Sequence, residues 1–430
     1  MTSPFSRLGS ANTYDNALRN LSTRQSALSN LQENLTSGKR VVRASDDPTA
    51  AAQAERALTR ISRIATDQRA LESQRNSIIM AESTLGDVND ALQNFRELVV
   101  SAGNGIHSAA NRTSIALQLS GLRDQILSLA NREDTNGSPL FAALGSALKP
   151  FVGPQAAAPD YQFNGLPGQT SSSEVSIPFA LDGDSAFMLQ AARDAVFNAT
   201  VSNIPAGRQL STDKVVIANP TTAASTAQLA FASSGGLQDY PSYTIAFTAV
   251  DTTTTPGTTT ATYSITENPA VSGAIAPVTV SYLTNKGIAV TAMPGLSLTI
   301  TGTPAVGDTV TVKPSPSLFS VLDNAIRDIG SAANGNASAQ AVGQALGNLD
   351  IGMSRVSAIR GQAGDLLNRA DRITDNQDKR SIQLEADRSR AEDLNMVKGI
   401  SDFQNQQTGY QAALQSYAQV QKLSLFNYIG

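Results

Sequence analysis

The sequence predicts an α+β protein in which both chain ends form a long antiparallel helical coiled-coil rod around an inserted, mostly β middle domain. Proline marks the division, because 15 of the 18 prolines lie between Pro150 and Pro316. Charged residues make up about 9% of that stretch and about 20% of the remainder. We therefore expect three parts: an N-terminal assembly helix, 1–44, pairing with 395–430; a rod of 45–149 and 317–394; and a β domain, 150–316.

The N-terminal flank predicts one long helix from Pro48 to Ala102. Apolar residues recur there every seven positions, at Ala57, Ile64, Leu71, Ile78, Leu85, Leu92, Val99 and Ile106. A second track of Val88, Phe95 and Ala102 gives the three-and-four spacing of a supercoiled seam. Such a helix is roughly 80 Å long at 1.5 Å per residue, and it needs partner helices along its apolar face. Segments 115–129 and 356–373 carry the matching spacing.

The middle stretch carries short β-type runs separated by turn residues. Examples are Tyr243–Phe247 and Leu298–Ile300, within a segment rich in Thr, Ser, Ala and Gly. We expect the threonine-rich stretch after Val250 to form a loop or the tip of a hairpin.

Both chain ends carry apolar stripes with few charges around them. The last 28 residues contain one charged side chain, Lys422, and seven glutamines. A terminal helix of this kind can dock on its own domain, but so little surface charge favours packing against other subunits. The predicted assembly residues are Tyr14, Leu21, Leu28, Leu31 and Leu35 at the N-terminus, with Phe403, Tyr410, Leu414, Tyr417 and Leu425 at the C-terminus.

The composition argues against catalysis. The chain has no cysteine and a single histidine, which excludes thiolate zinc sites, disulfide scaffolds and a HExxH metal helix. A net charge of −4 gives no general attraction to nucleic acid or anionic lipid. We expect no enzymatic activity, no cofactor, no metal, no nucleic-acid partner and no membrane insertion. No apolar stretch is long enough for a cleavable signal peptide or a membrane span.

Asp46-Asp47-Pro48 is the one acidic cluster that precedes a predicted helix. We interpret it as the N-terminal cap of that helix and not as a catalytic pair of carboxylates. Asp47 is expected to cap the helix that Pro48 opens, and both carboxylates are expected to meet the positive end of the helix dipole.

Several segments resemble the bacterial flagellin family. They are LTSGKRVVRASDDPTAAAQA (35–54), FRELVVSAGNG (95–105), ANREDTNGSPLF (130–141) and YQAALQSYAQVQKLSLFNYIG (410–430), with Arg360, Gly364, Asn368 and Arg369 at the family's spacing. Pro48, the LSLFNY ending and residues 161–187 are most similar to the branch of the family that forms the hook–filament junction. One departure follows Phe141, where the family pattern predicts a glycine and this chain has two alanines.

The resemblance implies a structural adaptor of the flagellum. Such proteins leave the cell through the flagellar type III apparatus without a cleavable signal peptide, and they function outside the cell at the hook–filament junction. The implied partners are neighbouring copies, the hook-associated protein FlgK, flagellin, and an export chaperone on the C-terminal helix. The alternatives are a filament-forming flagellin and a secreted adhesin with a coiled-coil stalk.

Overall fold

The computed structural model describes the backbone of residues 5–156, 159–202, 209–255, 257–283 and 286–429. Within these ranges it describes all side chains except those of 5–11, 13–14, 254–255 and 420–429. The chain divides into two compact units, unit 1 (residues 1–69 and 372–430) and unit 2 (residues 70–371).

The element order is α+β, with long helices at both ends of the sequence and strands between them. The helices are α1 (Phe5–Ser37), α2 (Pro48–Ala102), α3 (Ala109–Ala130), α4 (Gly183–Phe187), α5 (Ala191–Asp194), α6 (Pro220–Ser233), α7 (Leu318–Gly330), α8 (Gly335–Glu392) and α9 (Met396–Ile429). The strands are β1 (Phe151–Val152), β2 (Gln162–Phe163), β3 (Phe197–Ser202), β4 (Ser211–Thr212), β5 (Val216–Ile217), β6 (Ser242–Thr255), β7 (Thr258–Asn268), β8 (Val278–Leu283), β9 (Ile288–Val290), β10 (Leu296–Thr301) and β11 (Thr309–Pro314). No described helix is long and apolar enough to cross a membrane.

The heptad track of α2 is buried as its spacing predicts. Every member from Ala57 to Val99 is buried, and Ile78, Leu85, Leu92 and Val99 are fully buried. The prediction is wrong for Ile106, which is 89% exposed because α2 ends at Ala102 and the chain turns there. The seven-residue spacing continues past the helix end, but no partner helix faces it.

In unit 2, α2 runs antiparallel to α8. Ion pairs join Arg75 Nε to Asp371 Oδ1 at 3.3 Å and Arg96 Nε to Asp350 Oδ1 at 3.1 Å, so residue numbers rise along one helix and fall along the other. Val356, Ala363 and Ala370 of α8 are fully buried, as their spacing predicts. The exposed ion pairs flank this apolar seam and contribute little free energy of folding compared with its burial.

The described part of the middle region forms three antiparallel sheets, a two-stranded one of β1 and β2 and two larger ones that enclose one apolar core. Of these two, the larger has the strand order β3-β11-β6-β7-β8, and the smaller has the order β4-β10-β5, with β9 also paired to β10. Tyr240, Tyr243, Ile245, Val290 and Ile300 are among the fully buried residues of this core. The predicted β runs lie in β6 and β10.

The stretch after Val250 is a hairpin whose strands continue almost to its tip. Pairing between β6 and β7 extends to Thr255 and Thr258, with register shifts between Phe247 and Ala249 and between Asp251 and Thr255. Threonine hydroxyls support the neighbouring strand pair, since Thr262 Oγ1 lies 2.9 Å from Thr279 Oγ1. The loop-or-hairpin prediction is therefore resolved in favour of a hairpin.

Side-chain amides of α8 attach the edge strand β3 to the helices. Gln344 accepts a hydrogen bond from Ala199 N at 3.0 Å and donates to Ala199 O at 3.0 Å. Asn348 donates to Phe197 O at 2.8 Å. Because these residues lie four apart, they share one face of α8 and meet the backbone groups that an edge strand leaves unpaired.

A second core, rich in aromatic rings, lies where α7 meets β1 and β2. The ring centroids of Phe151, Phe187 and Phe319 lie 5.2–5.7 Å apart, with Phe187 and Phe319 stacked and Phe151 edge-on to Phe187. At its edge Tyr161 donates to Asp323 Oδ2 at 2.7 Å, and Arg123 forms an ion pair with Asp323. Burial raises the pKa of Asp323 above its ordinary value, although Tyr161 and Arg123 act in the opposite direction.

The turn after Phe141 contains a strained alanine. Ala143 adopts φ +56°, a left-handed conformation that glycine adopts at little cost, and its neighbour Ala142 has an ordinary backbone. This is the place where the family pattern predicts a glycine. The β-bridges of Ala142 with Asp182 and of Ala143 with Leu166 fix the turn in spite of the strain.

We expect Ala143→Gly to raise the free energy of unfolding by about 0.5–1 kcal/mol, because relief of left-handed strain exceeds the added flexibility of the unfolded chain. Thermal and urea unfolding of the full chain measures the change. The matched control, Ala142→Gly, removes a buried methyl group where no strain exists, and it should destabilise by about 1 kcal/mol. Destabilisation by both variants would contradict the assignment of strain to Ala143.

Candidate assembly surface at the chain ends

In unit 1, α1 and α9 pack against each other in antiparallel fashion. A Cβ placed on Gly399 would lie 3.2 Å from Leu35 Cδ2, and one placed on Gly409 would lie 2.6 Å from Arg24 Nη1. Rising residue numbers in α9 therefore meet falling numbers in α1. The two glycines let the helices approach closely at these points.

The pair leaves its apolar stripes only partly covered. Of the predicted assembly residues, Leu21, Leu28, Leu31, Leu35, Phe403, Tyr410 and Tyr417 are half-buried, and Leu414 is exposed. The side chains of Tyr14 and Leu425 lie outside the described residues. No described side chain of α1 is buried, and in α9 only Gly399 is.

Further apolar side chains of the pair face water. Val397 is 81% exposed, and Leu18, Met396 and Ile400 are each more than 40% exposed. The seam of α2 offers the comparison within the same chain, since Leu85 and Leu92 there are fully buried. Full burial of a leucine-sized side chain is worth about 1.5–3 kcal/mol, and each exposed side chain of the pair forgoes a share of that in proportion to its exposure, which a covering partner can supply.

A surface groove of about 600 Å³ runs between the two helices. Leu21 and Tyr417, predicted independently from opposite ends of the sequence, both line it, together with Ala17, Ala413 and the amide side chain of Gln406. The lining mixes apolar side chains with polar ones and includes one cation, Arg24. An amphipathic helix that carries an acidic or amide side chain opposite Arg24 suits this groove.

Backbone contacts clamp the turn after α1 to the turn before α9. Leu394 N donates to Gly38 O at 2.9 Å, and Arg40 N donates to Glu392 O at 2.7 Å. Lys39 also forms an ion pair with Glu392. Gly38 adopts φ +71°, which ends α1 without strain. Sequence reasoning did not predict this clamp, whose only local signal is the SGKR turn.

Arg40 connects the clamp to the start of α2. Its guanidinium donates to Ala391 O at 2.8 Å and pairs with Asp47 Oδ2 at 3.2 Å. Asp47 Oδ1 accepts a hydrogen bond from Ala50 N at 3.1 Å, so Asp47 caps the helix that begins at Pro48, as predicted. The Ala50 amide, the Thr49 hydroxyl and Arg40 lower the pKa of Asp47 to about 2.

The Asp46 carboxylate closes the turn that precedes α2. Its Oδ2 accepts a hydrogen bond from Arg43 N at 2.8 Å. An Asp three residues after a backbone amide can close a turn onto it in this way.

Comparison with known proteins identifies the family. The bacterial flagellin N-terminal helical region matches residues 10–145, and the bacterial flagellin C-terminal helical region matches residues 346–429. Together the two regions cover half of the chain. The chain belongs to the bacterial flagellin family.

Individual relatives are flagellar proteins of two kinds. The chain is 39% identical over 141 residues to flagellar hook-associated protein 3 of Escherichia coli, an alignment that covers 32% of this chain and 44% of that protein. It is 35% identical over 127 residues to a flagellin of Bacillus subtilis, covering 29% and 42% respectively. The chain thus spans less than half the length of these curated relatives.

The fold matches that of solved junction proteins. The crystal structure of flagellar hook-associated protein 3 from Legionella pneumophila aligns with a TM-score of 0.58 and 21% identity, covering 77% of this chain and 97% of that one. FlgL of Xanthomonas campestris aligns with a TM-score of 0.54 and 22% identity, covering 77% and 98%. The α+β fold with long terminal helices is therefore the FlgL fold.

We expect Leu414→Asp to leave the free energy of unfolding of the lone chain within about 0.5 kcal/mol of wild type, because this side chain is already exposed. Thermal unfolding followed by circular dichroism measures it. The control, Leu85→Asp, makes the same change at a fully buried position, and its cost should exceed the 2–5 kcal/mol or so of an emptied leucine site. A comparable loss of stability in both variants would show that Leu414 is covered within the protomer.

The cap at Asp47 gives a pH-dependent contribution to stability. Because the folded pKa is lowered, this contribution is present above the ordinary value of 3.8 and is lost as the pH falls through about 2. We expect Asp47→Asn, which keeps a capping oxygen, to remove that part of the acid-induced loss of stability seen in thermal unfolding. Asp47→Ala should already be less stable at neutral pH. If wild type and Asp47→Asn lose the same amount of stability as the pH falls, Asp47 does not make this pH-dependent contribution.

Proposed function

We propose that the protein is a structural adaptor of the bacterial flagellum at the hook–filament junction, with no catalytic role. The observation that carries the proposal is the half-exposed pair of apolar stripes on α1 and α9. A stripe that its own protomer covers incompletely is stabilised when a neighbouring subunit packs on it. Family membership makes a flagellar subunit the natural neighbour.

In this proposal the parts of the chain have separate tasks. Residues 1–44 and 395–430 form the assembly segment, residues 45–149 and 317–394 form the helical rod, and residues 150–316 form the β domain. The predicted stripe residues of α1 and α9, together with Tyr14 and Leu425, are the interface. Asp47 and Pro48 serve as the structural cap.

Folding of the ends and association are coupled. A pair of helices with no fully buried apolar side chain among its described residues gains little free energy from its own contact, so the ends are marginal in the lone protomer. Packing against neighbours supplies the missing burial. Contacts that do not close on themselves then extend into a helical array.

Export and partners follow from the same picture. The chain leaves the cell unfolded through the flagellar type III system without a cleavable signal peptide, and a chaperone covers the C-terminal helix until then. Outside the cell the partners are neighbouring copies, FlgK on one side and flagellin on the other. The absence of cysteine suits a chain that must stay free of disulfides before export.

The second candidate is a filament-forming flagellin. The match to the Bacillus subtilis flagellin favours it, because that relative is nearly as similar over a comparable length. The higher identity to a hook-associated protein 3 supports the junction role over this alternative.

Deletion of the gene separates the two candidates. If the protein is the junction adaptor, we expect mutant cells without filaments that release unpolymerised flagellin into the medium, because filament subunits are exported but find no platform. Electron microscopy and immunoblotting of the medium measure both. A mutant that lacks filaments and releases no flagellin would favour the filament protein.

In the same background, a chain lacking residues 400–430 should be exported but absent from isolated flagella, whereas the full chain restores filaments. Leu414→Asp should behave like the truncation, and Leu229→Asp, at an exposed leucine of α6, is the matched control that should assemble normally. Normal incorporation of the truncated chain would refute the role of α9.

A further inference from the structure

Four asparagines of this chain are followed by a glycine. They are Asn104, Asn136, Asn164 and Asn334. At such a pair the backbone nitrogen of the glycine can attack the side-chain amide carbon of the asparagine, because glycine has no side chain that shields its nitrogen. The reaction needs no enzyme, so its rate at each pair depends on the conformation in which the fold holds that pair.

The turn after α2 leaves the backbone nitrogen of Gly105 without a hydrogen bond. The two amides before it each donate to the carbonyl three residues back, at 3.1 Å. The next carbonyl in this series, that of Ala102, accepts the hydroxyl of Ser338 at 3.1 Å. Gly105 N has no acceptor among the described residues, and Gly105 is exposed. Solvent can therefore remove the proton of this amide.

The side chain of Asn104 is folded over the same nitrogen. Its Oδ1 accepts a hydrogen bond from Ile106 N at 3.2 Å. An asparagine that bonds in this way to the amide two residues on holds its Cγ close to the nitrogen between them, here Gly105 N. The donor at Oδ1 also stabilises the negative charge that develops on this oxygen when the nitrogen attacks.

Hydrogen bonds hold the far side of this turn. His107 N donates to Asn104 O at 3.1 Å, and the buried Arg112 donates to His107 O at 2.7 Å and to Ala332 O at 2.9 Å. No atom lies within 4 Å of the position of a Cβ on Gly105, so a ring has room to form there. The turn is thus kept in a geometry suited to attack and remains open to water.

Two of the other pairs are held in conformations that oppose the reaction. Gly137 N donates to Asp134 O at 3.0 Å, so the nitrogen that would attack Asn136 is engaged. Asn334 Oδ1 accepts a hydrogen bond from Ala337 N at 2.8 Å and caps α8. The backbone after Asn334 is helical, and it cannot close into a five-membered ring unless the first turn of α8 opens.

The remaining pair, at Asn164, is packed tightly. Asn164 N donates to Pro150 O at 2.7 Å. A Cβ placed on Gly165 would meet the ring of Phe163 and would lie 2.8 Å from Ala142 O. The backbone of this pair therefore has no room to rearrange, and Asn104 is the one pair of the four with a free nitrogen, a folded side chain and open space.

We propose that Asn104 deamidates spontaneously in the folded protein. Gly105 N gives its proton to solvent hydroxide and forms a bond to Asn104 Cγ. The bond from Cγ to the side-chain nitrogen breaks, and that nitrogen takes a proton from water and leaves as ammonia. Water then opens the resulting succinimide at either carbonyl, which gives aspartate or isoaspartate. Both products place a new carboxylate on the turn, and the reaction is independent of the proposed assembly role.

Mass spectrometry of the full chain compares the four pairs within one molecule. The protein is incubated in mildly alkaline buffer, and digests taken over time resolve asparagine, aspartate and isoaspartate at each pair. We expect Asn104 to react at least about tenfold faster than any other pair, because only this pair is held ready for attack. In urea the four rates should agree to within about threefold, since each asparagine is then followed by a freely exposed glycine.

A faster or equal rate at another pair of the folded protein would overturn the proposal. So would the same order of rates in urea, because the preference would then come from the local sequence and not from the turn.

The variant Gly105→Ala tests the attacking atom. The open space around Gly105 accepts a methyl group, which shields the nitrogen, so we expect the conversion of Asn104 to fall at least about tenfold with unchanged thermal unfolding. The matched control, Gly335→Ala, makes the same change at another open glycine of an Asn-Gly pair and should leave Asn104 unaffected. Undiminished conversion in Gly105→Ala, or aspartate without isoaspartate in the wild type, would refute attack by Gly105 N.

Discussion

Each helix of a packed pair buries only the face that it turns to its partner, and an apolar stripe wider than that face stays partly exposed. This limit on burial determines which apolar surfaces of the molecule are covered. In unit 2, α2 is covered by α8 and also by the segments around Asp134 and Ile177, and its heptad residues are fully buried. In unit 1, the described parts of α1 and α9 have chiefly each other, and their stripes stay half-buried. The same kind of apolar pattern is thus fully buried on α2 and partly exposed on α1 and α9. The partly exposed stripes of α1 and α9 are the surface that another subunit can cover.

The extent of α2 could be predicted because its signals are local. Asp47 and Pro48 mark its start, no proline interrupts it, and the heptad persists to Val99. The clamp could not be predicted, because Lys39 and Glu392 are 353 residues apart and nothing in either segment indicates the other. Alanine itself carries no signal for a left-handed backbone, so only the family pattern, which predicts a glycine after Phe141, indicated the place of the strain at Ala143. Periodicity predicted which faces are apolar, but only the structure distinguished Leu85, which is covered, from Leu414, which is not.

The clamp explains how the proposed assembly surface is held in place. Arg40 contacts both the carboxylate that caps α2 and the last turn of α8, while the backbone next to it pairs with residues 392–394. The start of α2, the end of α8 and the two terminal helices therefore meet at one small polar junction within unit 1. A small buried apolar cluster of Val41, Ala50, Ala54 and Ala391 lies beside these directional hydrogen bonds, and together they set where α1 ends and α9 begins.

Under the proposed assembly, in which copies of this chain lie side by side, the amide contacts on β3 have a consequence for the β domain. A bare outer strand invites a neighbouring chain to extend the sheet laterally, and that route ends in irreversible fibrous aggregates. Gln344 and Asn348 occupy the donor and acceptor positions that such an incoming strand would need. The helix thereby blocks sheet growth on this flank and leaves polymerisation to the helical parts of the chain.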